Sequence, residues 1–178
     1  MKLIFKQRMF SWFDSYDIYD ESGNTVFVVK GQLSWGHLLK IYDAYGNEVG
    51  SVKEKILTLL PKFEMYLEQK YVGCISRELS LFIPKYNIDY NGWHVEGNWF
   101  EWDYNIVDYT GQSVASVSKE IWKWTDTYVI DIYNQQDAIY ALMLVIAIDA
   151  EKCSRNNKRA SQKKFCFYTN PYNVSRQR

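Results

Sequence analysis

Two histidines, three cysteines and three prolines are all that these 178 residues hold of each type, and no apolar run exceeds eleven residues. Each shortage removes a class of protein. A His-rich metal centre cannot be assembled from His37 and His94 alone, and both read as ordinary strand residues. Cys74, Cys153 and Cys166 are odd in number, widely spaced and without any C-x-x-C pair, so they read as free thiols. The opening Met-Lys-Leu-Ile-Phe-Lys-Gln-Arg is broken by charge before an apolar signal region forms, which points to a reducing cytoplasm rather than secretion. The longest apolar run, Ala138 to Ile148, is about half of the roughly 20 residues a membrane-crossing helix needs. With three prolines and nine glycines the chain is neither collagen-like nor of low complexity. Catalytic and nucleotide motifs are missing as well: there is no G-x-S-x-G, P-loop, G-x-G-x-x-G or H-E-x-x-H, so no enzyme, metal or cofactor is expected.

Aromatic residues are in excess, with 15 Tyr, 9 Phe and 7 Trp making 17% of the chain, and such rings favour pleated, half-buried surfaces. The length suits one domain. Formal charge sums to zero, but residues 152 to 178 hold eight Lys or Arg and no acid, leaving 13 basic against 21 acidic side chains before them, a net of −8. An acidic body with a basic tail is the reading, with domains at 1–151, including a central helix at 136–151, and 152–178.

The pattern I-x-D-x-x-G-x-x-V occurs three times, at Ile18, Asp20, Gly23 and Val26, at Ile41, Asp43, Gly46 and Val49, and at Ile106, Asp108, Gly111 and Val114. Asp bonds the backbone two residues on and Gly supplies positive φ, the chemistry of a hairpin turn closed by a bulge. The second and third copies match further at an offset of 65, through Ser51 and Ser116, Val52 and Val117, and Ile56 and Ile121, by duplication or by convergence on one turn. Phe100, Trp102, Tyr104 and Ile106 alternate with Glu101, Asp103 and Asn105, predicting a half-buried strand, and Glu68-Gln-Lys70 joins a hairpin of Phe63 to Leu67 and Tyr71 to Ile75. With runs at 3–7, 17–19, 25–30, 37–42, 48–55, 81–85, 93–96, 114–119 and 127–133, about twelve short strands are expected. After Asn134-Gln-Gln-Asp137, which offers capping side chains, Ala138 to Ile148 has no polar stripe. A helix apolar all round must be surrounded, and closing a sheet removes its edges. The expected class is therefore mostly β, a closed antiparallel barrel around one central hydrophobic helix, with Asp149, Glu151 and Lys152 marking where the helix reaches solvent.

The segments Ile83-Pro-Lys-Tyr-Asn-Ile-Asp, Trp93-His-Val-Glu-Gly-Asn, Tyr104-Asn-Ile-Val-Asp, Val117-Ser-Lys-Glu, Asp126-Thr-Tyr-Val-Ile-Asp-Ile and Leu144-Val-Ile-Ala-Ile-Asp, in that order, resemble the LURP-one-related family of tubby-like proteins over residues 2 to 150. The resemblance implies a twelve-stranded barrel around a C-terminal helix, shared with the tubby C-terminal domain and the phospholipid scramblases. It also implies an association with phosphoinositides or lipid movement in those relatives. It carries no ligand site over to this chain, because the tubby phosphoinositide residues are not matched onto it.

Three groups remain as candidate sites. Glu96, Glu101 and Asp103 could form an acid/base pair, but on a polar strand face solvated carboxylates are the rule. Trp93, His94, Trp99 and Trp102 could stack bases or sugars, although such rings more often fill a wall, and the nearby acids oppose nucleic acid. The basic segment is the leading candidate: Lys152, Arg155, Lys158, Arg159, Lys163 and Lys164, followed by Phe165, Phe167 and Tyr168, suit an anionic membrane surface, the alternative being a solvated tail. The chain is thus expected to be a non-enzymatic cytoplasmic binding module for anionic lipid, phosphoinositide or a protein partner. The rival classes are an enzyme with a rim-cleft site and a nucleic-acid-associated protein.

Overall fold

A computed structural model describes residues 1–6, 15–32, 34–78, 85–122 and 125–168, with backbone alone for 6, 15, 16, 121, 122, 125, 126 and 156–168. Twelve strands form: β1 Lys2–Lys6, β2 Ser15–Tyr19, β3 Thr25–Gln32, β4 Leu38–Asp43, β5 Glu48–Glu54, β6 Lys62–Leu67, β7 Lys70–Arg77, β8 Tyr86–Ile88, β9 His94–Asn98, β10 Asp103–Val107, β11 Ser113–Trp122 and β12 Thr125–Ile132. Every neighbour pair is antiparallel, and β1 closes the barrel by pairing with both β2 and β12. The Met1 amine seals the seam by donating to the Ile132 carbonyl at 2.9 Å.

Alternation decides what faces inward. Leu3, Ile18, Val29, Ile41, Val52, Met65, Ile75, Ile106 and Ile130 are fully enclosed, one from each of nine strands, as a half-buried pleat requires. A 3-10 turn at Gln135–Asp137, capped by Asn134 accepting from the Gln136 amide at 3.2 Å, leads into α1, Ala138–Tyr168. Residues 141 to 148 of this helix are buried on all sides, which explains its lack of a polar stripe. Among the described residues no helix is long and apolar enough to cross a membrane.

Because the strands alternate in direction, the three repeated turns lie together at the end where α1 enters, and the 34–37, 55–61 and 99–102 loops lie at the end where it leaves. In each repeat the Asp carboxylate accepts two backbone amides, those of Ser22 and Asn24, Tyr45 and Asn47, or Thr110 and Gln112, at 2.8–3.0 Å. Gly23, Gly46 and Gly111 take φ of 82°, 87° and 83°, and each hairpin has a bulge one or two residues before its Asp.

Two expectations are corrected, the strand start at Phe100 and the solvent exposure of Asp149 and Glu151. The strand expected from Phe100 begins only at Asp103. The Glu101 amide bonds the Asn98 carbonyl at 3.1 Å, Trp102 takes φ 60°, and the resulting turn tucks Trp99 and Trp102 inward while leaving Phe100 outside. The eighth strand is Tyr86–Ile88, whereas the expected one at 81–85 falls, but for Lys85, outside the described residues. Asp149 and Glu151 do not mark solvent, being only 6% and 3% exposed. The helix runs past the expected border at 151 to Tyr168.

Candidate functional site

Polar groups converge where α1 leaves the barrel. Glu151 stands at the centre: Tyr86 at the head of β8 donates its hydroxyl to one carboxylate oxygen, and Arg77 at the end of β7 and Arg155 one helical turn on approach the other at 3.1 and 2.6 Å. Burial raises the Glu151 pKa, opposed by the Tyr86 bond and the Arg77 charge. The same burial and the Glu151 charge drive the Tyr86 hydroxyl far above its ordinary range.

On the neighbouring side of the helix, Lys152 donates its Nζ to the carbonyl oxygens of Trp99 and Phe100 at 3.1 and 2.8 Å and lies 4.2 Å from the Trp102 ring centre. Burial brings its pKa down to about 8 against the pull of Asp149. Asp149 is pushed up to about 7 by burial, with Lys152 opposing, and Cys153 to about 12 by burial and the Asp149 charge. The Tyr104 hydroxyl and the Trp99 indole nitrogen are buried without a hydrogen-bond partner. On the third side His37, just before β4, holds Ser154 Oγ at 2.6 Å and Glu54 at 3.4 Å, so this histidine ties loop to helix instead of serving as a simple strand residue. Arg155 lies over the Trp99 and Phe100 rings at 5.7 and 5.9 Å.

The arrangement bolts the helix to the rim. The Glu151 carboxylate is taken up by Tyr86, Arg77 and Arg155, a poor geometry for general acid/base work by this group on an outside substrate. Of the basic segment, Lys152 and Arg155 are thus committed to the barrel, while Lys158, Arg159, Lys163 and Lys164 lie on helical backbone with side chains outside the described residues. Glu96, Glu101 and Asp103 are exposed and the first pairs with His94 at 3.2 Å. Trp93, Trp99 and Trp102 are buried wall and core residues. Cys74 and Cys153 are unpaired, and the Cys166 side chain lies outside the described residues. Among the described residues no three His, Cys, Asp or Glu gather as a metal site. Arg77, Tyr86 and Ser154 had no signal in the sequence, for their roles depend on strands meeting a helix far away along the chain.

The chain is 30% identical over 151 residues to the uncharacterized protein YxjI of Bacillus subtilis (strain 168), an alignment covering 84% of this chain and 92% of that one. The LURP-one-related family model matches residues 1–149, the barrel together with the buried part of α1. With barrel, central helix and sequence in agreement, the chain belongs to the LURP-one-related family.

Proposed function

We propose that this protein is a non-enzymatic binding module of the cytoplasm that docks at an anionic lipid surface, phosphoinositide headgroups included, through the extension of its central helix. The supporting observation is that α1 does not stop at the rim: Lys152, Arg155, Lys158, Arg159, Lys163 and Lys164 follow with no acid on the same continuous helix. Beyond Arg155 it extends about 20 Å at 1.5 Å per residue. The unpaired Cys74 and Cys153 accord with a reducing compartment. Each cation near an anionic surface contributes about 1 kcal/mol, so the four beyond Arg155 supply about 4 kcal/mol, or a dissociation constant of about 1 mM. Charge alone thus makes the contact weak and salt-sensitive.

The test is co-sedimentation of the full chain with phosphatidylcholine vesicles with and without phosphatidylserine, at low and raised salt. Only the anionic vesicles should bind, binding should fade with salt, and the variant Lys158→Glu/Arg159→Glu/Lys163→Glu/Lys164→Glu should lose it. Equal binding to neutral vesicles, or undiminished binding by the variant, refutes the reading.

A further inference from the structure

The large apolar side chains exposed among the described residues sort by barrel end. At the end where α1 enters, Tyr45, Tyr71, Tyr90, Tyr109 and Tyr133 are exposed, and each carries a polar hydroxyl. At the end where α1 leaves, they are Trp35, Ile56, Leu57, Leu59 and Phe100, four of them pure hydrocarbon. Leu57 is 100% exposed, Leu59 93% and Trp35 88%. A water-facing loop gains nothing from such residues, and grouped exposure marks an interaction face.

The grouping is physical. A Cβ added at Gly36 would sit 3.0 Å from Ile56 Cγ2, so the β3–β4 and β5–β6 loops pack together, and Trp35 and Ile56 line one shallow depression. Leu57 has φ 61°, a left-handed conformation that Asn or Gly takes with less strain, yet this position holds a fully exposed leucine. Lys53 and Lys55 border the depression, with Glu54 and Glu64 beside them and Lys55 paired to Glu64 at 3.4 Å. His37, next to Gly36, holds Ser154, so the basic helix leaves beside these loops.

We infer that the helix-exit end of the barrel is the face that enters an anionic bilayer, with Leu57 and Leu59 as apolar anchors and Trp35 at the headgroup level. This rests on the lipid-surface reading above and adds the part of the barrel that meets lipid. The occupant is a bilayer because apolar tips and a helix of one charge sign leave from one end, the pairing that interfacial anchoring uses. Hydrocarbon insertion is unaffected by salt screening and supplies what charge of about millimolar strength lacks.

The experiment uses full chains on the same vesicles. Leu57→Asp/Leu59→Asp should weaken binding about tenfold or more and remove the part that survives raised salt. Its melting temperature should stay unchanged, since both side chains are exposed, and Asp tolerates the left-handed backbone at 57. Tyr45→Asp/Tyr109→Asp, at the opposite end, should bind as wild type. Brominated acyl chains should quench wild-type fluorescence more than that of Trp35→Phe. Wild-type binding by the leucine variant, or an equal loss from the tyrosine variant, overturns the inference; loss of self-association without loss of vesicle binding does so too, and assigns the patch to a second copy. If the leucine variant fails to bind while the four-cation reversal binds normally, the loop anchors stand and the charge-based reading fails. If wild type binds no vesicle at low salt, both fall.

Discussion

Burial holds the Asp149 carboxyl near a pKa of about 7 in the folded protein, against an ordinary 3.8. The folded chain thus keeps the proton more tightly than the unfolded one. Its advantage is complete below about pH 4 and is lost as pH rises to about 7, an effect on the order of 4 kcal/mol. Asp149→Asn should remove this dependence, so urea titrations should show the variant gaining on wild type between pH 4 and 7 and holding a constant lead above. A difference that does not vary with pH contradicts the assignment. The turn aspartates have the opposite sign: hydrogen bonds, led by the Asn24, Asn47 and Thr110 side chains, lower the pKa values of Asp20, Asp43 and Asp108, so these turns weaken only in acid. Gly46 at φ 87° has nothing within 4 Å of an added Cβ, so Gly46→Ala isolates the conformational term. It should cost about 1–2 kcal/mol by denaturant titration. A variant as stable as wild type would show that the turn tolerates a side chain.

Between elements, the contact of β5 with α1 is the tightest fit. A Cβ on Gly50 would collide with Met143 Cε and come within 3.0 Å of the Tyr66 carbonyl, so the missing side chain makes room for the helix. Gly50→Ala should cost about 1–3 kcal/mol by overpacking. Made in a Met143→Ala background the same change should cost less by at least about 0.5 kcal/mol, because shortening Met143 relieves one of the two collisions. Additive costs in the double-mutant cycle would place the strain on the Tyr66 carbonyl and Leu67 instead. Neither partner was legible in the sequence: Gly50 sits in a strand pattern and Met143 in an apolar run, and only the docking depth of the helix brings them together.

At the scale of the molecule, β1 must find β12 across almost the whole chain before the barrel closes. Such non-local pairing predicts slow closure, on the order of milliseconds to seconds in stopped-flow refolding. The helix core and the barrel wall share one hydrophobic cluster, with Leu144 fully enclosed within it. Leu144→Lys places an unpaired charge there and should leave no soluble folded protein, or lower the stability by at least about 3 kcal/mol. A variant that melts normally would mean that the segment can leave the barrel.

Periodicity and composition by themselves determined the local geometry: three Asp-x-x-Gly turns, short alternating strands and one helix without a polar side, which together admit few solutions other than a barrel around a helix. These were legible because turn chemistry and burial pattern act over a few residues. The aromatic turn at 99–102 misled the same reasoning, since alternation at Phe100 and Trp102 mimics a strand while both tryptophans are drawn inward by the core. Tertiary structure alone decided the rim. Whether Glu151 meets water or Arg77, Tyr86 and Arg155, and which loops share an end with the emerging helix, depends on strand direction and helix depth. Those are properties of the closed barrel, absent from any short window of the sequence.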